Sequence, residues 1–181
     1  MTHPPPLIGK TITLVGLMGV GKTSIGRRLA LALDMPFKDA DTEVEAAAGR
    51  TIPEIFATYG ESAFRDGERR VIARLLEDPP HVLATGGGAF IDAQTRRLIN
   101  EKSISIWLKA DLALLARRVG RRDTRPLLAG KDPLEVLQAH AEARYDHYAQ
   151  AHLTVETGET AHQVAVDAIL QALASHAAPA P

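Results

Sequence analysis

Apolar and polar positions along this chain follow two periods, one of two residues and one near 3.6, and the two alternate repeatedly. Thr11-Ile12-Thr13-Leu14-Val15 is a short β-prone run, after which Ile25, Leu29 and Leu33 recur at helical spacing over about residues 22–34. Met35–Asp41 is short enough for a strand. Thr51 and Glu54 stand at capping-box spacing with Pro53 between them, and a long charged segment from Glu61 to Glu77 then runs up to Pro79-Pro80. His81-Val82-Leu83-Ala84-Thr85 reads as a buried strand that stops at Gly86-Gly87-Gly88. Asp92–Glu101 and Leu112–Val119 read as helices on either side of a strand at Ser103–Leu108. Asp132-Pro133 combines an N-cap with a proline at the first helical position and opens a helix to about Ala151. Leu153–Glu156 is a last short strand, and Ala161–Ser175 a closing amphipathic helix. Strands alternating with helices predict an α/β fold. Its three α/β/α layers would be built on a parallel sheet of about five strands, covered on both faces. Ligands of such sheets sit beyond the carboxyl ends of the strands.

Composition narrows the class. The 181 residues suffice for a single domain with a real core, and 21 basic against 22 acidic residues leave a net charge of −1. With 45% hydrophobic and 4% aromatic residues the chain reads as an ordinary globule, neither disordered nor built to coat nucleic acid. Cysteine is absent, which removes disulfides and thiolate metal sites. The start lacks a basic and then apolar leader, and no stretch approaches the roughly 18 apolar residues that span a membrane, so a cytoplasmic enzyme is expected. Pro4-Pro5-Pro6 and Ala177–Pro181 are expected to lie outside a core of about residues 8–175.

The clearest chemistry lies in Gly16-Leu17-Met18-Gly19-Val20-Gly21-Lys22-Thr23, a complete G-x-x-x-x-G-K-[ST] phosphate-binding loop set between strand and helix. Its successive backbone N–H groups, Gly19, Val20 and Gly21 among them, form a nest for phosphate oxygens. Lys22 reaches the β- and γ-phosphates, Thr23 offers a hydroxyl to Mg²⁺, and the following helix points its positive end at the phosphates. The chain is therefore expected to bind a nucleotide.

Further candidates fall at strand ends. Asp39 and Asp41, two apart on the expected strand, direct both carboxylates to one side. One suits the ordering of Mg²⁺ water and the other the proton of an attacking hydroxyl, although Asp41 at this position also suits a helix cap. Arg65 and Glu68 sit three apart and can pair, as many solvated surface residues do. Arg65 together with Arg144 would suit a planar carboxylate held bidentately. Gly86-Gly87-Gly88 fits either a tight turn or a close approach of ligand to backbone. Arg117, Arg118, Arg121, Arg122 and Arg125 concentrate positive charge between two helices, over a stretch expected to act as a lid at about 118–130. A nucleic-acid patch is the competing account, but no aromatic residues are interleaved there.

Taken in order, the loop at 16–23, Asp39-x-Asp41, Phe64-Arg65-x-x-Glu68, Gly86–Gly88, Arg125-Pro126-Leu127-Leu128 and Arg144-Tyr145 resemble the shikimate kinase family, from Ile8 to about Leu173. The resemblance implies transfer of the γ-phosphate of ATP to the 3-hydroxyl of shikimate, in chorismate and aromatic amino-acid synthesis. It implies that Asp41 orients or deprotonates that hydroxyl and that Arg65, braced by Glu68, holds the carboxylate with Arg144. It further implies that Gly86, Gly87 and Gly88 contact the ring and that Phe56 and Phe64 shape the wall, within an acceptor-binding region of about 41–70. Lys22 and Arg125 would stabilise the γ-phosphoryl group, Thr23 and Asp39 would hold Mg²⁺, and Arg118 would lie against adenine beside the Thr157–His162 loop. No apolar strand ends in a Walker-type aspartate, because Val82-Leu83-Ala84-Thr85 ends in glycines, which leaves the metal role to Asp39. The expected partners are ATP and shikimate alone, with no nucleic acid or membrane, and the expected state is a monomer.

Nucleoside monophosphate kinases and gluconate kinases share the loop, lid and sheet, while Asp41, Arg65, Gly86–Gly88 and Arg144 favour a small hydroxylated carboxylic acid. A nucleotide-dependent switch protein is the rival of another class. Its base-reading motif has only a poor echo in Leu108-Lys109-Ala110-Asp111.

Overall fold

The computed structural model describes residues 9–121 and 130–178. Among the described residues there are five parallel strands: β1 (Thr11–Val15), β2 (Phe37–Asp39), β3 (Val82–Ala84), β4 (Ser103–Lys109) and β5 (Leu153–Glu156). They lie in the order β2-β3-β1-β4-β5. Ile12 pairs in register with Val82 on one side and Ile104 on the other, so β1 is central. A central parallel strand is covered on both faces, which is why all five of its residues are buried. Thr13 and Thr85 are buried polar exceptions, and each hydroxyl is satisfied. Thr13 Oγ1 donates to Ser103 Oγ at 2.8 Å, and Thr85 Oγ1 to the Leu14 carbonyl at 2.8 Å.

The chain leaves β1 through α1 (Lys22–Ala32) towards β2, returns to β3, and then crosses β1 to reach β4 and β5. Right-handed crossovers in opposite directions put helices on opposite faces. Accordingly α1 packs with α7 (His162–Ala177) on one face, while α4 (Ala93–Lys102) covers β4 on the other, against α3 (Ile52–Leu75). The remaining helices are α2 (Ala40–Ala48), α5 (Leu112–Gly120) and α6 (Pro133–Tyr148), with one 3₁₀ turn at Ala89–Ile91. Gly26 lets α1 lie close to the sheet, since a Cβ there would meet Phe37 Cε2 at 2.7 Å. Among the described residues no helix is long and apolar enough to cross a membrane.

Two expectations need correction. The strand expected over 35–41 closes at Asp39, and Asp41 lies in the first turn of α2. Asp39 itself is the N-cap: its Oδ1 accepts from the backbone N–H of Asp41 at 3.0 Å and of Thr42 at 3.2 Å. The two aspartates therefore share a site through a helix start rather than through strand alternation. The capping box at Thr51 is present, but it opens a helix that runs on to Leu75, broken only where Gly60 adopts φ 84°, ψ 174°.

Candidate active site

One cavity of about 720 Å³ lies at the carboxyl ends of β1, β2 and β3. The chain reverses its direction across the sheet at β1, and the crevice that opens there is where open α/β sheets bind ligands. Its nucleotide side is the loop from Gly16 to Thr23. Positive φ at Gly19 (83°) and Gly21 (97°) turns successive N–H groups inward, a conformation that side chains with a Cβ resist. Lys22 Nζ curls back over the loop and donates to the carbonyls of Gly16 at 2.6 Å and Leu17 at 3.0 Å. Val20 faces the other way: its side chain is buried in the core, and only its backbone belongs to the loop.

Arg118, at the end of α5, donates to the Gly19 carbonyl at 3.3 Å and to the Gly158 carbonyl at 2.9 Å. This fixes its guanidinium between the phosphate loop and the 157–162 turn. Arg117 pairs with Glu159 of the same turn, and His162 approaches Gly21 from beyond it. Arg125 and most of the expected lid lie outside the described residues.

Thr23 Oγ1 donates to Asp39 Oδ2 at 2.9 Å, which places one hydroxyl and one carboxylate together at the cavity wall. Among the described residues no group of three or more His, Cys, Asp or Glu forms a metal cage. This donor set nevertheless fits Mg²⁺, which keeps several waters and is held by one or two protein oxygens plus substrate phosphates.

The acceptor side is built from α2, α3, α6 and the glycine run. Asp41 is half-buried at its floor. Burial raises its carboxyl above the ordinary range, the Asp39 charge adds to that, and Lys22 and Arg65 oppose it. Glu68, with only 3% of its side chain exposed, pairs through Oε1 with Arg65 Nη1 at 2.8 Å. Burial raises its carboxyl too, with Arg65 opposing. Its other oxygen has no hydrogen-bond partner among the described residues. Phe56 and Phe64 stack with ring centroids 4.8 Å apart and wall the cavity beside Arg65.

Each residue of the glycine run accommodates a different side chain. A Cβ on Gly86 would lie 2.9 Å from Asp41 Oδ1, one on Gly87 3.3 Å from Arg144 Nη1, and one on Gly88 2.3 Å from Arg65 Nη2. The chain turns here, with the Ala89 N–H donating to the Gly86 carbonyl at 3.3 Å, and the lack of side chains on the run leaves room for Asp41, Arg144 and Arg65.

The structure thus gathers Gly19, Gly21, Lys22, Thr23, Asp39, Asp41, Phe56, Phe64, Arg65, Glu68, Gly86, Gly87, Gly88, Arg118 and Arg144 around a single space. Sequence reasoning missed Ser24 and Ile52 on its wall and Tyr148 behind it, while Met18 and His162 entered it only as parts of the phosphate loop and the 157–162 loop. Ile52, next to the Thr51 cap, carried a usable signal, whereas an isolated residue such as Tyr148 carried none.

The shikimate kinase family model matches residues 18–174. Shikimate kinase of Caulobacter vibrioides is 71% identical over 168 residues, covering 93% of this chain and 84% of that one. The Zymomonas mobilis shikimate kinase is 57% identical, with 91% and 93% covered. Among solved structures, shikimate kinase from Acinetobacter baumannii in complex with shikimate superposes with a TM-score of 0.90 at 38% identity, covering 94% of this chain and 96% of that one. A Sinorhizobium meliloti gluconokinase, with a TM-score of 0.64 at 20% identity, shares the fold. With its phosphate loop, paired aspartates and two arginines converging on one cavity, this chain belongs to the shikimate kinase family.

Proposed function

We propose that the enzyme transfers the γ-phosphate of ATP to the 3-hydroxyl of shikimate, giving shikimate 3-phosphate and ADP on the route to chorismate and aromatic amino acids. The observation that carries this reading is the arrangement of the cavity: Lys22 on the phosphate loop and the Asp41, Arg65, Arg144 group line one space.

Phosphoryl transfer asks the protein for alignment and charge neutralisation rather than covalent work. The loop amides and Lys22 hold the β- and γ-phosphates. Arg65, oriented by Glu68, and Arg144 bind the acceptor carboxylate and fix the ring so that one hydroxyl faces the phosphoryl group. Asp41, whose carboxyl is raised by burial and by Asp39 with Lys22 and Arg65 opposing, accepts the hydrogen bond of that hydroxyl and takes its proton as the new P–O bond forms. Thr23 and Asp39, directly or through water, would hold Mg²⁺, which would supply charge neutralisation at the phosphates when bound. Arg118 flanks the base, and from the family resemblance Arg125, within a lid at about 118–130, meets the γ-phosphoryl group. The reading also takes the chain to be one domain acting as a cytoplasmic monomer on small molecules alone, which sedimentation at micromolar concentration tests for the monomer.

The deciding experiment is a coupled ADP assay with shikimate beside gluconate and AMP. Shikimate-dependent turnover at least a hundredfold above either competitor is expected, and equal turnover with gluconate would reverse the substrate assignment.

A further inference from the structure

The hydroxyl of Tyr148 has no part in the mechanism above. The residue is fully buried at the end of α6, its ring centroid 5.8 Å from that of Trp107, which Tyr145 meets edge-on at 5.0 Å. A phenol O–H sealed among aromatic rings needs an acceptor, and this one donates to the carbonyl of Gly87. Burial pushes its pKa up to about 12, while the Arg144 guanidinium beside it pulls the other way, so it remains a neutral donor. Arg144 stands one helical turn earlier on α6, on the same face. Its Nη1 passes 3.3 Å from where a Cβ on Gly87 would be. A single buried hydroxyl thus bonds to the middle of the glycine run and stands beside the guanidinium that crosses it.

We propose that Tyr148 is a positioning residue for acceptor binding, its hydroxyl holding the Gly87 carbonyl and the Arg144 guanidinium in one fixed arrangement that sets affinity for the acceptor's carboxylate. The inference rests on Arg144 being a carboxylate clamp. A guanidinium on a flexible stem delivers two parallel hydrogen bonds only if its neighbours hold its plane. Arg65 has the Glu68 carboxylate for this purpose. Arg144 has the Tyr148 phenol beside it.

Tyr148→Phe keeps the ring and removes one oxygen. The expected result is a shikimate KM raised about tenfold, with kcat and the ATP KM within twofold of wild type, the pattern of lost acceptor binding. The preference for shikimate over its methyl ester should shrink by a similar factor, because only the free acid uses the clamp. Arg144→Ala, assayed alongside, separates the two claims. If it raises the shikimate KM while Tyr148→Phe changes neither that KM nor the acid-to-ester ratio, Tyr148 is structural and the clamp stands. If Arg144→Ala leaves the KM unchanged, the clamp and this inference fail together.

Should Tyr148→Phe not fold, 3-fluorotyrosine labelling of the intact chain reads the same contact, since it has three tyrosines. The Tyr148 fluorine resonance, assigned with Tyr59→Phe and Tyr145→Phe, should move on saturation with shikimate and stay in place with the ester. A resonance indifferent to shikimate overturns the proposal.

Discussion

At residue scale, the glycine run and Asp41 show how function is set against local comfort. Gly88 has φ −99° and ψ −9°, a right-handed conformation open to any residue, so alanine there costs the backbone little. Its methyl group would instead occupy space 2.3 Å from Arg65 Nη2, displacing the guanidinium from its 2.8 Å pairing with Glu68. Gly88→Ala is therefore expected to raise the shikimate KM tenfold or more and to lower the melting temperature, because the buried Glu68 carboxylate loses its partner. Steady-state kinetics beside a thermal melt check it. Asp41 carries the opposite tension. Its raised carboxyl pKa, caused first by burial and then by Asp39, means that the folded state holds the proton more tightly than the unfolded chain. Stability therefore falls as pH rises from the ordinary aspartate range, about 4, through the raised value. Asp41→Asn removes that cost and should stabilise the fold at neutral pH by roughly 1 kcal/mol. The same change removes the proton acceptor and should lower kcat by about 10²–10⁴-fold. In the wild type, kcat/KM should decline as pH drops through the raised value. Denaturant unfolding and a pH–rate profile test both halves, and a variant at once less stable and fully active would contradict them.

At the scale of elements, α3 links the acceptor wall to its chemistry. Its first half presents Ile52 and Phe56 to the cavity and its second half Phe64, Arg65 and Glu68, with Gly60 between them. The φ 84°, ψ 174° of Gly60 is open essentially to glycine alone, and an added Cβ would meet nothing within 4 Å. Gly60→Ala should therefore cost about 1–3 kcal/mol through the backbone alone. It should also raise the shikimate KM by misaligning the Phe56–Phe64 pair, with the ATP KM unchanged. Urea unfolding and paired KM measurements check it. This break escaped the sequence reading, in which a single glycine between Tyr59 and Glu61 resembles any other. The helix α2 escaped for a different reason. Ala46-Ala47-Ala48 and the glutamates around Val44 give no apolar stripe, and only Ala40 and Val44 are buried. The Asp39 cap and Gly49, in the left-handed conformation at the far end, are legible signals, but the pattern assigns Asp39 to a strand and the alternative cap to Asp41, and Gly49 goes unused. By contrast, the phosphate loop, the Thr51 box and the Asp132-Pro133 start were legible because each is a short-range requirement of backbone hydrogen bonding.

At the scale of the whole molecule, alternation of strands and helices was enough for a parallel sheet and its layers. The order β2-β3-β1-β4-β5 depends on contacts far apart in sequence, which periodicity does not encode. That order also divides the cavity. The phosphate loop, the end of α5 and the 157–162 turn form one side, while α2, α3, the glycine run and α6 form the other. Ligands that bind only the folded state raise its stability by RT ln(1 + [L]/Kd), about 2.7 kcal/mol at a hundredfold excess over Kd. For a domain of this size that corresponds to roughly 5–10 °C in melting temperature. If the two sides bind independently, Arg144→Ala should lose the rise produced by shikimate and keep that produced by a non-hydrolysable ATP analogue. Lys22→Ala should show the reverse, with turnover reduced by orders of magnitude and the shikimate rise intact. Thermal melts of both variants with each ligand separate these outcomes. If either substitution abolished both rises, the two sides would be folding onto their ligands as one coupled unit, and the separation of nucleotide and acceptor roles would have to be abandoned.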